Sequence, residues 1–184
     1  MPIAIADVGE LFAALQAARD ADDEGGLSIL DHGLQCADLL ATRRPDDVEL
    51  QVAGLVHDLG WLERASGGWQ LRVDAAHDVD GRALTGPLLG ARVARLVGGH
   101  VAAKRYLLTT DPSYRARLSA RSEVTLAFQG GVMAADECRR FEQDPDGDDL
   151  VALRRADDDA KERGKVVPGL DRWRAVIERV VRDG

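Results

Sequence analysis

Residues 48–60, with the sequence VELQVAGLVHDLG, combine the apolar spacing of a helix with an adjacent His-Asp pair. Their apolar residues recur every three or four positions, which predicts a helix that ends at Gly60 and carries His57 and Asp58 near its C-terminal end. A carboxylate has two oxygens and can bridge two ions, while the neighbouring imidazole binds one of them. The stretch therefore predicts a helix that presents metal ligands.

The other histidines of the chain flank this pair. There are four histidines in all, and His32, His77 and His100 stand on either side of His57 and Asp58 at separations compatible with metal ligands. Neutral imidazole and carboxylate are ligands that iron, zinc and manganese bind readily. A lone histidine is more often a satisfied core or surface residue, but four around one His-Asp pair favour a metal centre.

The remaining sequence has the pattern of helices almost throughout. No segment shows the sustained alternation of a strand, so we predict an all-α protein in which 184 residues form a single compact helical bundle. Residues 61–76 contain a glycine pair and no helical period, and we expect a loop over the site. A helix that begins at His77 is expected to be interrupted at Gly86 and Pro87, and residues 88–108 to form one long helix.

The charge balance argues against a nucleic-acid-binding surface. The chain has 24 Lys and Arg residues against 32 Asp and Glu residues, a net charge of −8, whereas nucleic acids require a basic face. No apolar run approaches the ~20 residues of a membrane span, and the N-terminal residues lack the features of a signal peptide. Cys36 and Cys138 are too few for a disulfide framework, so we expect a cytoplasmic protein with two thiols.

Basic side chains stand beside two of the candidate ligands at helical spacing. Lys104 lies four residues after His100, and Arg154 lies three residues before Asp157, so each pair projects from one helix face. An ammonium or guanidinium group beside a metal ligand suits an anion that touches the metal at one end. Solvated surface charge is the alternative at both places, and the conjunction with the histidines favours an anion site.

Several segments carry a strong resemblance to one family. Residues 28–35, SILDHGLQ, and 54–60, GLVHDLG, look like the opening of an HD-domain protein. Residues 100–107, HVAAKRYL, with 126–131, LAFQGG, and 153–157, LRRAD, resemble the HD-domain oxygenases that cleave phosphonates with a mixed-valent diiron centre. The His-Asp pair alone would leave the larger group of HD phosphohydrolases open, and the HVAAKRYL and QGG segments select the oxygenases.

The resemblance extends over residues 28–174 and implies one HD domain over residues 1–184. Residues 1–26 would then form an N-terminal helix and a loop on the substrate side. It also implies six protein ligands for two iron ions, an Fe(II)/Fe(III) pair. The first iron would be held by His32, His57, Asp58 and Asp157. Asp58 would bridge to the second iron, which His77 and His100 complete, leaving positions open for substrate and dioxygen.

The same resemblance implies a phosphonate-binding set. Lys104, Ser122 and Arg154 would receive the phosphonate, and Gln129 is a further candidate for shaping the pocket. The catalytic residues would be Asp58, which couples the irons, and Lys104, which orients the dianion and offsets its charge. The implied reaction uses dioxygen to cleave the carbon–phosphorus bond of a 1-hydroxyphosphonate, giving phosphate and a carboxylic acid. Ser122 has an alternative role as the N-cap of its own helix.

The sequence departs from the family at two places. A tyrosine and a glutamate of the aminophosphonate-cleaving enzyme are replaced by Asp22 and Gly25, with Glu24 one residue out of register. Glu24 could still reach a substrate ammonium group, but the glycines there equally suggest a different or larger substituent. Trp61 stands where the family often has another histidine, and either walls off an apolar side of the pocket or caps the helix end as a core residue.

Two other classes of function stay open at this point. An HD phosphohydrolase acting on a nucleotide or phosphate monoester would use the same ligands with a metal-bound hydroxide. A non-catalytic HD-like binding module would require a degenerate ligand set, and none of the six positions is degenerate. We therefore expect an oxygenase whose partner is a small organophosphonate, supplied by an upstream hydroxylase, and no nucleic-acid or membrane partner.

Overall fold

The computed structural model describes residues 4–24, 26–65, 68–71 and 76–183. Within these ranges it contains eight α-helices, two 3₁₀ helices and two short antiparallel strand pairs, which confirms the all-α prediction. The α-helices are α1 (Val8–Ala17), α2 (Ile29–Arg43), α3 (Val48–Val56), α4 (His77–Thr110), α5 (Ala120–Phe128), α6 (Ala135–Glu142), α7 (Gly147–Asp159) and α8 (Leu170–Asp183). The strands are β1 (Asp22–Glu24) with β2 (Leu27–Ser28) and β3 (Leu62–Ala65) with β4 (Gly68–Leu71). The 3₁₀ helices are Leu59–Trp61 and Tyr114–Arg117.

Polar side chains fix where helices α2 and α3 begin. The Ser28 hydroxyl accepts a hydrogen bond from the Asp31 amide at 3.0 Å, and the Asp47 carboxylate accepts one from the Leu50 amide at 3.0 Å. Serine and aspartate are favoured N-cap residues because they satisfy amide groups that the first turn leaves free. The cap at Ser28 puts His32 on the first turn of α2.

The sequence predicted that helix α3 ends at Gly60, but in the structure it ends at Val56. Leu59–Trp61 form a tighter 3₁₀ helix, and Asp58, which precedes it, has φ −99° and ψ 5°. Gly60 packs against the start of α4, where a Cβ atom would lie 1.8 Å from the carbonyl oxygen of His77. The change of helix type therefore brings the His-Asp pair beside the first residue of α4.

The prediction of a loop over residues 61–76 is wrong for residues 61–65 and 68–71, which the structure describes. Strands β3 and β4 form an antiparallel hairpin with Leu62 opposite Leu71, and Trp61 belongs to the preceding 3₁₀ helix. Each strand has four residues, which is too short for an alternating pattern to be recognised in the sequence. Residues 66–67 and 72–75 lie outside the described ranges.

The predicted break at Gly86 and Pro87 is also wrong, because the interruption of α4 lies at Gly90. Gly90 has φ 89° and ψ 170°, while Pro87 lies inside helical backbone. The fixed φ of proline is compatible with a helix, whereas a φ near +90° is readily available only to glycine. The glycine therefore divides α4 into two arms, one carrying His77 and the other His100.

Helices α2, α3, α4 and α7 pack against one another, and residues on or next to each of them form the candidate site. One connected cluster of buried apolar side chains runs from Ile5 to Val180. None of the helices in the described ranges has both the length and the apolar character that a membrane crossing needs. Cys36 and Cys138 are both buried free thiols, and the single domain over residues 1–184 stays a prediction.

Candidate metal centre and anion pocket

The six predicted metal ligands converge in two groups at the centre of the helices. The first group is His32, His57 and Asp157, and the second group is Asp58, His77 and His100. Within each group the possible ligand atoms lie within 4.8 Å of one another. All six side chains are buried or nearly so. Helices α2, α4 and α7 and the turn after α3 thus deliver every histidine of the chain to one place.

Asp58 faces both groups. Its Oδ2 lies 3.4 Å from His57 Nε2 and 3.7 Å from His32 Nε2. Its Oδ1 lies 3.5 Å from His77 Nε2 and 3.9 Å from His100 Nε2. Each carboxylate oxygen is therefore directed to a different group, the arrangement that a bridging ligand requires.

Backbone carbonyls orient three of the imidazoles. The Nδ1 atoms of His32, His57 and His100 lie 2.9, 2.9 and 2.7 Å from the carbonyl oxygens of Ala160, Gly54 and Val97. A carbonyl can only accept, so each Nδ1 carries a hydrogen, and in the neutral form of each ring the Nε2 lone pair is directed at the centre. Burial would lower the pKa of His57, but the nearby carboxylates raise it to about 9, so a metal ion would have to displace a proton there. The sequence did not identify these acceptors, because a backbone carbonyl leaves no signal in residue type.

Asp157 links the first group to the anion side of the site. Its Oδ1 lies 3.1 Å from His32 Nε2, and its Oδ2 accepts a hydrogen bond from Arg154 Nη1 at 2.6 Å. Burial alone would raise the pKa of Asp157, but the guanidinium of Arg154 and the neighbouring histidines hold it well below its usual range. The carboxylate is therefore ionised, the form that binds a metal.

The electrostatics of the second group also favour ligand forms. Burial, reinforced by the charges of His77 and His57, lowers the pKa of His100 to about 3, so that its ring is neutral. Burial would raise the pKa of Asp58, but His57 and then His77 hold it well below the usual value. The second group therefore offers one carboxylate and at least one neutral imidazole.

These residues fit a pair of metal ions. The Nε2 atoms of His32 and His57 are buried and lie 3.1 and 3.4 Å from carboxylate oxygens, but make no hydrogen bond among the described residues. A buried polar atom without a partner is costly, and a metal ion would satisfy both of these atoms at once. The set of four imidazoles and two carboxylates, with no thiolate, suits iron and other borderline metals.

A small pocket of about 40 Å³ opens on the second group. Its cations are Lys104, Arg154 and Lys161, of which Lys104 is only 2% exposed. Burial, and then the nearby Arg154, lowers the pKa of Lys104 to about 8. Lys161 was missed by the sequence analysis, although it lies four residues after Asp157 and its Nζ is 4.0 Å from Asp157 Oδ1. The pocket is thus suited to a small anion beside the metal centre.

Helix α5 supplies the polar wall of this pocket. Lys104 Nζ donates to Thr125 Oγ1 at 3.2 Å, and Arg154 Nη2 lies 3.4 Å from Ser122 Oγ. The alternative role of Ser122 as an N-cap is wrong, because Ser119 caps α5 and accepts a hydrogen bond from the Ser122 amide at 3.2 Å. Sequence reasoning missed Thr125, although it lies one helical turn after Ser122. The hydroxyl of Ser122 is therefore left to face Arg154.

Gln129 and Trp61 complete the wall. Gln129 lines the pocket, and its Oε1 is buried without a hydrogen-bond partner among the described residues. Trp61 stacks on His77, with ring centroids 4.3 Å apart and planes 11° apart, and also lines the pocket. Trp61 is both a buried residue at the end of the 3₁₀ helix and a wall of the pocket, so its two predicted roles coincide. The side chain of Glu24 and all of Gly25 lie outside the described residues.

Comparison with known proteins identifies relatives along most of the chain. No protein-family model matches. The hydroxymethylphosphonate dioxygenase of Gimesia maris is 33% identical over 174 residues, which cover 93% of this chain and 86% of that protein. The glycine-betaine-forming 1-hydroxy-2-(trimethylamino)ethylphosphonate dioxygenase of Leisingera caerulea is 31% identical over 157 residues, 84% of this chain and 80% of that protein. A protein of Acanthamoeba polyphaga mimivirus is 39% identical over 85 residues, 46% of this chain and 39% of its own length.

Proposed function

Because this chain belongs to the family of HD-domain phosphonate oxygenases, we propose that it uses dioxygen to cleave the carbon–phosphorus bond of a 1-hydroxyphosphonate. The products are phosphate and a carboxylic acid, and one substrate with one dioxygen molecule accounts for all of their atoms. Two relatives that match most of the chain are named as dioxygenases of hydroxyphosphonates. The observation that carries the proposal is a carboxylate, Asp58, that faces two groups of histidines directly beside a cationic pocket.

The six converging side chains are the proposed ligands of two irons. The first iron would be held by His32, His57, Asp58 and Asp157, and the second by Asp58, His77 and His100. The two irons, bound as an Fe(II)/Fe(III) pair, would supply the redox chemistry that activates dioxygen. The buried Nε2 atoms of His32 and His57, which make no hydrogen bond among the described residues, support this assignment.

The cationic pocket is the proposed phosphonate site. Lys104 and Arg154 offset the two negative charges of the phosphonate, and the Ser122 hydroxyl adds a hydrogen bond. The pocket opens on the second group, so a bound substrate would lie beside the iron that Asp58, His77 and His100 would hold. Lys104 and Arg154 thereby hold the reacting carbon in place beside that iron.

The neutral residues of the wall have supporting roles in the proposal. Trp61 covers His77 and keeps water from that side of the site. The unpartnered Oε1 of Gln129 is the acceptor available to the substrate hydroxyl. Glu24 as a contact for a substrate ammonium group stays a prediction from the sequence.

A dioxygen-uptake assay tests the proposed reaction. Iron-loaded protein, prepared in air so that dioxygen can oxidise one iron of each pair, is mixed with dioxygen and hydroxymethyl-, 1-hydroxyethyl-, 2-amino-1-hydroxyethyl- or trimethylammonio-hydroxyethylphosphonate. We expect at least one of them to give stoichiometric dioxygen uptake and phosphate release, and to change a mixed-valent diiron signal in electron paramagnetic resonance. Phosphate release from nucleotides without dioxygen, with none from the four phosphonates, would instead establish the phosphohydrolase, which no present observation favours.

The substrate also implies a preceding reaction. A phosphonate whose carbon carries no hydroxyl group must first be oxidised at that carbon, so we propose an upstream hydroxylase as the source of the substrate. We further propose a cytoplasmic location, which the two free thiols support.

A further inference from the structure

The guanidinium of Arg154 is held on several sides by the protein. Arg154 is 4% exposed, and its Nε donates to the Tyr114 hydroxyl at 2.8 Å and lies 3.2 Å from Asp158 Oδ2. Its Nη2 also donates to Asp158 Oδ1, and its Nη1 donates to Asp157 Oδ2 at 2.6 Å. Burial would lower the pKa of Arg154, but these carboxylates raise it, so the group stays charged. Its position is therefore fixed before any ligand binds.

Tyr114 and Asp158 close a triangle of hydrogen bonds with this arginine. The Tyr114 hydroxyl accepts from Arg154 and donates to Asp158 Oδ2. Tyr114 begins the 3₁₀ helix after α4 and is 2% exposed, while the Asp158 side chain on α7 is 3% exposed. The three groups are thus buried together, and neither Tyr114 nor Asp158 is among the residues that line the pocket.

The triangle determines which edge of the guanidinium is available. A guanidinium is a planar fork with a side edge, formed by Nε and one terminal nitrogen, and an end, formed by the two terminal nitrogens. Asp158 binds the side edge of Arg154, formed by Nε and Nη2. The end of the fork, formed by Nη1 and Nη2, faces Asp157 and Ser122, which both line the pocket. A planar guanidinium binds a tetrahedral anion best through one complete edge, so its rotation matters as much as its charge.

We infer that Tyr114 and Asp158 are positioning residues that turn the end of the Arg154 fork toward the anion in the pocket. This inference rests on the proposed function only in taking the pocket as a phosphonate site. Neither residue lines the pocket or belongs to the two ligand groups, and both act by preorganising the arginine. Arg154 Nη1 already donates to Asp157. Loss of either residue lets the guanidinium rotate and donate further N–H groups to Asp157, so that fewer of them meet the anion.

Removal of the Tyr114 hydroxyl tests the inference directly. In iron-loaded protein without dioxygen, we expect Tyr114→Phe to raise the dissociation constants of inorganic phosphate and hydroxymethylphosphonate by about five- to tenfold, measured by calorimetry. Under turnover, the KM for the preferred phosphonate should rise by a similar factor while kcat changes less than twofold. Iron content should be unchanged, since no ligand is altered.

The chain offers a matched control, because its other tyrosine also donates to a carboxylate. Tyr106 donates to Glu142 at 3.3 Å, away from the pocket, so Tyr106→Phe should leave the dissociation constants unchanged. Asp158→Asn provides a second variant. Loss of negative charge alone would tighten anion binding, whereas loss of positioning weakens it, and we expect weaker binding.

The outcomes separate this inference from the proposed function. Wild-type dissociation constants in Tyr114→Phe, or tighter binding in Asp158→Asn, would overturn the positioning role while leaving the oxygenase intact. Phosphate binding that weakens as expected, in a protein that consumes no dioxygen with any phosphonate, would support the positioning role and refute the oxygenase. A wild-type protein that binds neither anion would refute both.

Discussion

The Nε2 atoms of His77 and His100 lie 3.0 Å apart, although 23 residues separate them in the chain. His100 Nδ1 carries its hydrogen because it faces the carbonyl oxygen of Val97, so His100 Nε2 is an acceptor. Two nitrogens at right angles around an ion that is about 2.1 Å from each would be about 3.0 Å apart. The two arms of α4 thus bring both rings to a spacing that suits ligands of one ion.

Asp58 is expected to be essential to both groups at once. Asp58→Asn replaces one carboxylate oxygen with a non-ligating nitrogen and removes the negative charge that the groups share. We expect iron content to fall from about two per chain to less than one, measured by elemental analysis after loading and desalting. Asp159→Asn, at a surface aspartate paired with Arg43 and Arg117, is the control and should keep its iron. Full iron content in Asp58→Asn would refute the bridging role.

Gln35 is expected to position the His32 ring indirectly, through the chain segment that contains Ala160. Its amide donates to the Glu162 carbonyl at 2.8 Å and accepts from the Glu162 N–H at 3.1 Å, which fixes the segment whose Ala160 carbonyl orients His32. Gln35→Leu should lower stability by about 1–3 kcal/mol and weaken iron binding about tenfold in a chelator competition.

A second buried glutamine gives the control for that change. Gln51 donates to the carbonyls of Arg44 and Pro45 in the connection between α2 and α3. Gln51→Leu should lose similar stability but keep its affinity for iron. Equal iron affinities in the two variants would show that the hydrogen bonds between Gln35 and Glu162 stabilise the fold without positioning His32.

Sequence reasoning found the candidate ligands because their chemistry is visible in residue type and helical spacing. His57 and Asp58 are adjacent, and His100 with Lys104 stands one turn apart on a helix, so both relationships are local. The convergence of His32 with Asp157 is not local, and only the resemblance to a family brought these two together. The resemblance supplied the partners that periodicity could not.

Features built from backbone, or from short segments, escaped the sequence. The carbonyl acceptor of His32 belongs to Ala160, whose side chain contributes nothing to the contact. The hairpin of β3 and β4 is too short to show a period, and the break in α4 follows a glycine dihedral angle rather than the nearby proline. Tyr114 was missed because its partner Arg154 is 40 residues away, and no spacing rule connects them.

Gly60 is expected to tolerate no side chain. A Cβ atom there would lie 1.8 Å from the His77 carbonyl oxygen and 2.6 Å from the Gly81 nitrogen, both backbone atoms that cannot turn aside. Gly60→Ala should therefore lower the free energy of unfolding by about 1–3 kcal/mol or more and displace His77 from Asp58. Denaturant unfolding and iron content measure the two effects. Gly169→Ala, where a Cβ atom meets nothing within 4 Å, should change neither; an unaffected Gly60→Ala would contradict the close approach.

The buried charge of Lys104 is expected to lower the free energy of unfolding of the metal-free protein. Its pKa falls from 10.5 to about 8 on burial, so the unfolded chain binds more protons between these values, and stability rises with pH across that window. Below about pH 8 the full cost applies, about 3 kcal/mol, partly offset by the contacts with Thr125 and Ser122. Lys104→Met should raise the free energy of unfolding at pH 7 by about 1–3 kcal/mol, and this gain should shrink toward pH 10. A less stable Lys104→Met at pH 7 would show that the contacts outweigh the burial.

Deprotonation of the same lysine is expected to weaken anion binding at alkaline pH. As pH rises through about 8, Lys104 loses its proton and with it one of the charges that face the phosphonate. The dissociation constant of hydroxymethylphosphonate, measured anaerobically in iron-loaded protein, should rise about tenfold between pH 7 and pH 9. Bound metal cations repel the ammonium further, so the transition should lie at or below about pH 8. Arginine stays charged throughout this range, so Lys104→Arg should show only the titration of the ligand itself. If the two proteins respond to pH identically, Lys104 does not hold the anion.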